Sequence, residues 1–304
     1  MILPSILTAL LVPFALAAPA KPAPATTTTS SAPPVQTVTP GKFNAPHYVI
    51  YADSWLAGGN MPTVAQLGGF NRFVLAFDMT VGAVDDAVLW TQLDQNTRTS
   101  ILNSYHAAGK AIMVSAFGST DAPTSNGQNP VTLANTIANF VRQWQLDGVD
   151  IDYEDFNAVN GGTSVNWLVP PIAPWFCRSC YSDGAYAAVN DQVGNTIDFY
   201  SLQYYNQGSA YTDCNSLLFN SAPTSWPYTS SGELNSHDGI PLAKLVLGKP
   251  LTSAGANSGY MSPSALGSCV SQGKSSLGWP GSVMFWEWDP SANPAGILNT
   301  VAGV

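Results

Sequence analysis

The apolar positions of this chain fall into two patterns: short continuous runs and longer stretches striped every 3.6 residues. His47-Tyr-Val-Ile-Tyr-Ala52, Asn71-Arg-Phe-Val-Leu-Ala-Phe-Asp78 and Lys110-Ala-Ile-Met-Val-Ser-Ala-Phe117 are compact apolar runs that predict three strands. A short helical segment is expected near Thr63 to Leu67, and a longer helix from about Asp94 to Ala108, closed by Gly109. Val131 to Leu146 carries Leu133, Ile137, Phe140, Val141 and Trp144 on one stripe, which marks an amphipathic helix. Further on, Ser182 to Gly194 predicts a helix and Thr196 to Tyr205 a strand. Leu245 to Pro250 predicts a strand, Pro263 to Gln272 a helix, Gly281 to Trp286 a last strand, and Ala292 to Thr300 a terminal helix. Apolar strands alternating with helices imply a parallel sheet covered on its outer face. The 263 residues after Gly41 suit one α/β barrel, and no Gly-x-Gly-x-x-Gly follows the first strand, so a single-domain (β/α)8 barrel is favoured over a dinucleotide-binding sheet.

The amphipathic helix feeds straight into Asp147-Gly-Val-Asp-Ile-Asp-Tyr-Glu154, a run that breaks the apolar rule. In an extended strand Asp150, Asp152 and Glu154 share one face, while Val149, Ile151 and Tyr153 share the other as an apolar wall. Neighbouring same-face carboxylates lie roughly 7 Å apart, too close for all to ionise cheaply in a partly desolvated site. At least one should hold a proton near neutral pH, the condition a carboxylic acid needs to protonate a leaving group. Glu154, at the end of the run, is the expected donor. A calcium site on the same strand would need more oxygen ligands nearby.

Composition narrows the setting. Met1 to Ala17 is an apolar run ending in the small-residue Ala15-Leu16-Ala17, too short to span a bilayer and typical of a secretory signal, although it lacks a basic start. The Pro-, Thr- and Ser-rich stretch that follows, including Thr26-Thr-Thr-Thr-Ser-Ser31, cannot bury a core and is expected to be a linker over 18–45, plausible as an O-glycosylated one. That leaves 46–304 as the folded unit. With 19 acidic against 10 basic residues and a formal charge of −9, nucleic acid and anionic membranes are not expected as partners. No Asn-x-Ser/Thr sequon is present, and no other apolar stretch is long enough to span a bilayer. Four cysteines in a secreted chain allow three full pairings. Cys177-Arg-Ser-Cys180 is close enough to pair with itself, which leaves Cys214 and Cys269 for each other. His47, His106 and His237 are scattered singly, so no metal site and no cofactor is expected.

The octet Asp147 to Glu154 has the D-x-x-D-x-D-x-E form of family 18 glycoside hydrolases, the chitinase family, and the chain resembles them. Ser201-Leu-Gln-Tyr-Tyr-Asn206 is similar to that family's sixth-strand motif, and Gly281-Ser-Val-Met-Phe-Trp286 to its eighth-strand ending. The Ala-Pro-Trp-Phe run at 173–176 and the overall pattern resemble secreted fungal members. The resemblance implies a secreted, monomeric, endo-acting hydrolase of β-1,4-linked N-acetylglucosamine in chitin, working by a retaining mechanism in which the substrate's own acetamide is the nucleophile. On this match Glu154 protonates the glycosidic oxygen and then activates water. Asp152 bonds the acetamide N–H and stabilises the oxazolinium, Asp150 orients Asp152, and Tyr205 steadies the acetamide carbonyl. Trp286 forms a stacking floor, Tyr51 and Phe77 walls, and Gln203 and Asn206 supply hydrogen bonds. An endo-β-N-acetylglucosaminidase acting on N-glycans needs the same groups, and a non-catalytic chitin-binding lectin or an inactive shortened variant are the other readings.

Two departures carry expectations of their own. The third strand ends Ser115-Ala-Phe-Gly118 where the family usually has Ser-x-Gly-Gly, so Phe117 is expected to reshape that side of the pocket. Only 49 residues separate Glu154 from Gln203, where roughly 60 to 75 would be comfortable for the intervening helices and strand. Gly161-Gly162 and Pro170-Pro171 leave at most about one helical turn near Trp167 to Ile172. Helix four and part of strand five are therefore expected to be missing, which would bare the outer face of strands four and five.

Overall fold

In a computed structural model of the chain, residues 44–54, 56, 59–168 and 176–304 are described. The signal segment, nearly all of the linker and the strand expected to follow Trp167 lie outside the described residues. The strands are β1 (Tyr48–Ala52), β2 (Arg72–Met79), β3 (Gly82–Ala83), β4 (Ala111–Gly118), β5 (Gly148–Tyr153), β6 (Tyr200–Gln203), β7 (Leu245–Pro250) and β8 (Val283–Trp286). They run in the order β5-β4-β2-β1-β8-β7-β6, each neighbour parallel, with β3 hooked antiparallel onto the end of β2. The sheet curls so that its first and last strands in sequence, β1 and β8, pair near its middle, and its two ends, β5 and β6, face each other. This single-domain α/β arrangement is the barrel that the alternating pattern implies, with the stretch between β5 and β6 abbreviated.

Alternation along the strands divides the interior into two layers. Val49, Tyr51, Val74, Met113, Tyr205, Val246 and Met284 point inward and form a small cluster at the barrel axis. The complementary positions, such as Ile50, Leu75, Ile112, Val114, Leu247 and Phe285, face the helices in the main core. The helices expected around 94–108 and 131–146 are present as Gln95–Ala107, capped by Asp94, and Pro130–Gln143, capped by Asn129 with proline in its first turn.

Three short helices have no strong stripe and were not expected: Asp85–Gln92, Cys214–Leu218 and Ser231–Asp238. The predicted strand from 196 shortens to four residues, because 194–196 closes as a 3-10 turn after the Ala185–Val193 helix. Both disulfides form as paired above, Cys177 with Cys180 and Cys214 with Cys269. The second ties the Cys214–Leu218 helix to the Pro263–Leu277 helix.

Beyond β5 the helical layer is thin. Two one-turn helices, Phe156–Asn160 and Ser164–Leu168, stand where a full helix would be needed. The outer face of β5 opens as a result, with Val149 37 % exposed, in agreement with the short spacing. The wall behind the acidic face is therefore apolar but only partly covered at its start. Among the described residues no helix is long and apolar enough to cross a membrane.

Candidate active site

The acidic strand lies beside β4 with Ser115 opposite Asp150. Its even-numbered side chains enter the barrel, as the alternation requires. Ser115 Oγ donates to Asp150 Oδ2 at 2.7 Å, and the Tyr51 hydroxyl also bonds Asp150. From the opposite end of the sheet, Gln203 Nε2 donates to Asp152 Oδ1 at 2.7 Å, so one hydrogen bond reaches from β6 to β5. Glu154 follows one residue past the strand, half-buried and hydrogen-bonded to Asp152.

Burial raises the pKa of all three carboxyls, and at Asp152 the charges of its two neighbours add to the rise. Asp150 is pushed up by desolvation and pulled back by Ser115 and Tyr51. Asp152 is pushed well above the ordinary range by desolvation first, then by the charges of Glu154 and Asp150. Glu154 is also raised by desolvation, while its hydrogen bonds to Asp152 and Gln203 pull it back. The bond between the pair favours the protonated form of Asp152 and the ionised form of Glu154. With both carboxyls raised and bonded to each other, the pair is set to hold one proton between them near neutral pH, with Glu154 at the open end of the row.

Tyr51, which bonds Asp150, belongs to a group of three packed rings. Phe77 stacks on Trp286 with ring centroids 6.0 Å apart, and Tyr51 lies tilted to Trp286 at 5.8 Å. Gly118 is required here, because a Cβ at that position would sit 3.0 Å from the Phe77 ring. Tyr205 is buried, and its phenol is pushed well up by desolvation and by the nearby charges of Asp152, Glu154 and Asp150. Asn206 stands at the exposed rim with its carboxamide oxygen accepting the Asn257 N–H at 2.8 Å. Asp150, Asp152, Glu154, Tyr51, Phe77, Gln203, Tyr205 and Trp286 thus converge, and Asn206 borders them.

Phe117 does not reshape the pocket. A strict alternation would place it beside Ser115 on the inner face, but its φ of +81° turns the side chain outward. There it is fully buried against Tyr153 and Trp167, at centroid distances of 6.3 and 6.1 Å. It fills space in the thin helical layer behind the acidic strand.

Two residues that the strand pattern did not single out complete the site. Ser115 was readable, since it shares the inward face of β4 with Met113, but nothing in its own sequence context marked it as the partner of Asp150. Glu287, next to Trp286, ties the end of β8 to the end of β1. Its Oε2 accepts the N–H groups of Asp53 and Ser54 at 3.0 and 2.8 Å, and its Oε1 accepts Ser54 Oγ at 2.9 Å. Among the described residues no cluster of three His, Cys, Asp or Glu side chains is set to hold a metal ion.

No protein-family model matches the chain, and no curated protein matches it significantly. Solved structures do match its fold. A GH18 chitinase from Pseudoalteromonas aurantia superposes with a TM-score of 0.63 at 22% identity, covering 84% of this chain and 99% of its own. Chitinase ChiC from Aspergillus fumigatus superposes at 0.54 and 16% identity, covering 80% of this chain and 91% of its own. A xylanase and α-amylase inhibitor protein, XAIP-II, from Scadoxus multiflorus also superposes at 0.54 and 16% identity, covering 84% and 98%. At these identities the likeness is one of fold, and that fold is shared by hydrolases and inhibitors alike.

Proposed function

We propose that the protein is a secreted glycoside hydrolase of the chitinase type that cleaves β-1,4 linkages between N-acetylglucosamine units with help from the substrate's acetamide. The observation that carries this reading is the Asp150-Asp152-Glu154 row, in which the desolvated Asp152 and Glu154 are hydrogen-bonded to each other and Tyr51, packed with Phe77 and Trp286, bonds Asp150. The rings offer an apolar face to sugar C–H groups. A bound acetamide would draw Asp152 towards its N–H, and the proton would pass to Glu154, which delivers it to the glycosidic oxygen. The acetamide oxygen attacks the anomeric carbon as that bond breaks, forming an oxazolinium ion faced by ionised Asp152. Glu154, now ionised, takes a proton from the water that opens the oxazolinium, and the cycle returns with retained configuration. Tyr205, buried beside Asp152, steadies the acetamide carbonyl. The row needs no metal or cofactor for this chemistry.

The two disulfides fit an oxidising, extracellular setting for the catalytic unit at 46–304. A binding role without turnover is the second reading, favoured by the inhibitor proteins that share the fold. The intact Glu154 and the buried Asp152 bonded to it argue for catalysis, since a lectin or inhibitor has no use for a buried carboxyl pair that costs stability. Release of chitobiose from colloidal chitin, set against release of N-glycans from a glycoprotein, separates the chitinase from the endo-β-N-acetylglucosaminidase. Tight binding of acetylated chito-oligosaccharides with no product from either substrate would leave only the binding reading.

A further inference from the structure

Lys249 is fully buried one residue before the end of β7, where the pattern calls for an apolar side chain. Its Nζ donates to the carbonyl oxygens of Tyr204 at 2.7 Å, Tyr211 at 2.5 Å and Gly259 at 3.0 Å. An ammonium has three N–H donors, and here each finds one carbonyl. The three carbonyls belong to separate segments: the end of β6, the loop that follows it, and the 251–262 loop after β7. These segments flank Tyr205. The Asn206 N–H donates to the Ser258 carbonyl at 3.1 Å, and Gly259, at φ +90°, packs so closely that a Cβ there would lie 2.7 Å from Tyr205 Cα.

We infer that Lys249 is a positioning residue for Tyr205, its ammonium pinning the strand end and both flanking loops so that the phenol is held over the carboxylate row. This deepens the proposed hydrolysis and rests on it for the part Tyr205 plays. A neutral amine has two N–H donors, so deprotonation releases one of the three carbonyls. Asp213, which caps the Cys214–Leu218 helix, is the charged group acting on Lys249. Tyr204 and Tyr211, whose carbonyls it binds, stack on each other with ring centroids 4.6 Å apart, and Glu233 acts on both phenols. Burial pushes the lysine down to about 7, and Asp213 pulls it back up. The folded chain binds this proton less tightly than the unfolded one. The ammonium therefore costs stability below about pH 7, and that cost fades as pH climbs towards the ordinary lysine range.

Lys249→Met keeps the aliphatic stem and removes the donors. Wild type and variant are compared for kcat and KM on an acetylated chito-oligosaccharide from acid to alkaline pH, with amide hydrogen exchange of segments 204–213 and 256–261 measured in parallel. The expected result is a loss in kcat/KM on the order of 10- to 100-fold, faster exchange in both segments, and an altered alkaline limb, because only the proton of the Asp152 and Glu154 pair is then left to titrate there. Unchanged kinetic constants with an unchanged pH profile would overturn the inference, even if stability shifts. Should the variant not fold, Gly259→Ala displaces Tyr205 from the other side, and kinetics like the wild type's would count equally against it. If the wild type cleaves none of the substrates, the proposed reaction falls, and the exchange comparison still decides whether Lys249 holds the segments: no change between the two proteins overturns that as well.

Discussion

The two faces of β5 are built in opposite ways. Its inner face is held by partners from distant strands: Ser115 of β4 on Asp150, Gln203 of β6 on Asp152 and Tyr51 of β1 on Asp150. Its outer face rests on the Pro130–Gln143 helix and on the Phe117, Tyr153 and Trp167 rings, the last from the Ser164–Leu168 helix, and Val149 is partly open to solvent. A site assembled from cross-barrel hydrogen bonds does not depend on a continuous outer layer, provided the strand itself stays in register. The shortened connection therefore bears on stability more than on the arrangement of the carboxyls.

The largest effect should come from the inner face. Glu154→Gln should lower kcat by at least about 10²- to 10⁴-fold while oligosaccharide binding by calorimetry persists, since only the acid and base are lost. Near-normal turnover would remove Glu154 from the mechanism. Asp152→Asn should also be severe in kcat, yet it should stabilise the fold. Asp152 has a raised pKa, so in the folded chain its ionisation is disfavoured and stability falls as pH rises above the unfolded carboxylate range. Thermal melts of the asparagine variant should gain over wild type at pH 7 and lose that gain near pH 4. A constant difference across pH would mean that the carboxyl is not desolvated.

On the outer face the expected effects are on stability. Phe117→Ala should cost about 3 to 5 kcal/mol by urea unfolding, because a fully buried ring that spans β4 and the thin helical layer is removed. Val149→Ala, one strand over at a partly exposed position, should stay within about 1 kcal/mol of wild type. If the two substitutions cost the same, the outer cover of β5 is better packed than its exposure implies.

Much of the site was legible because period-2 alternation is a local rule. Asp150, Asp152 and Glu154 had to share a face once the run was a strand, and the rings of Tyr51, Phe77 and Trp286 close strands whose apolar runs were clear. Phe117 escaped that rule because a positive φ at one residue reverses a side chain's direction, and nothing in Ser115-Ala-Phe-Gly118 states the angle. The Cys214–Leu218 and Ser231–Asp238 helices were missed for a different reason. They are held by end caps, Asp213 on the Ser216 N–H in one and the Ser230 and Glu233 capping box in the other, and carry little apolar stripe. The raised pKa values of Asp152 and Glu154 depend on burial, and the bond between them on the fold, both products of tertiary structure.

The disulfide between Cys214 and Cys269 encloses β7, Lys249 and the 251–262 loop within a single covalent ring of the chain. By loop closure it removes on the order of 4 kcal/mol of entropy from the unfolded chain. A protease that cuts once anywhere inside that ring opens the backbone without releasing a fragment. The nicked molecule would run as one band until reduced, and both edges of the segment that seats Tyr205 would remain tethered to the same barrel.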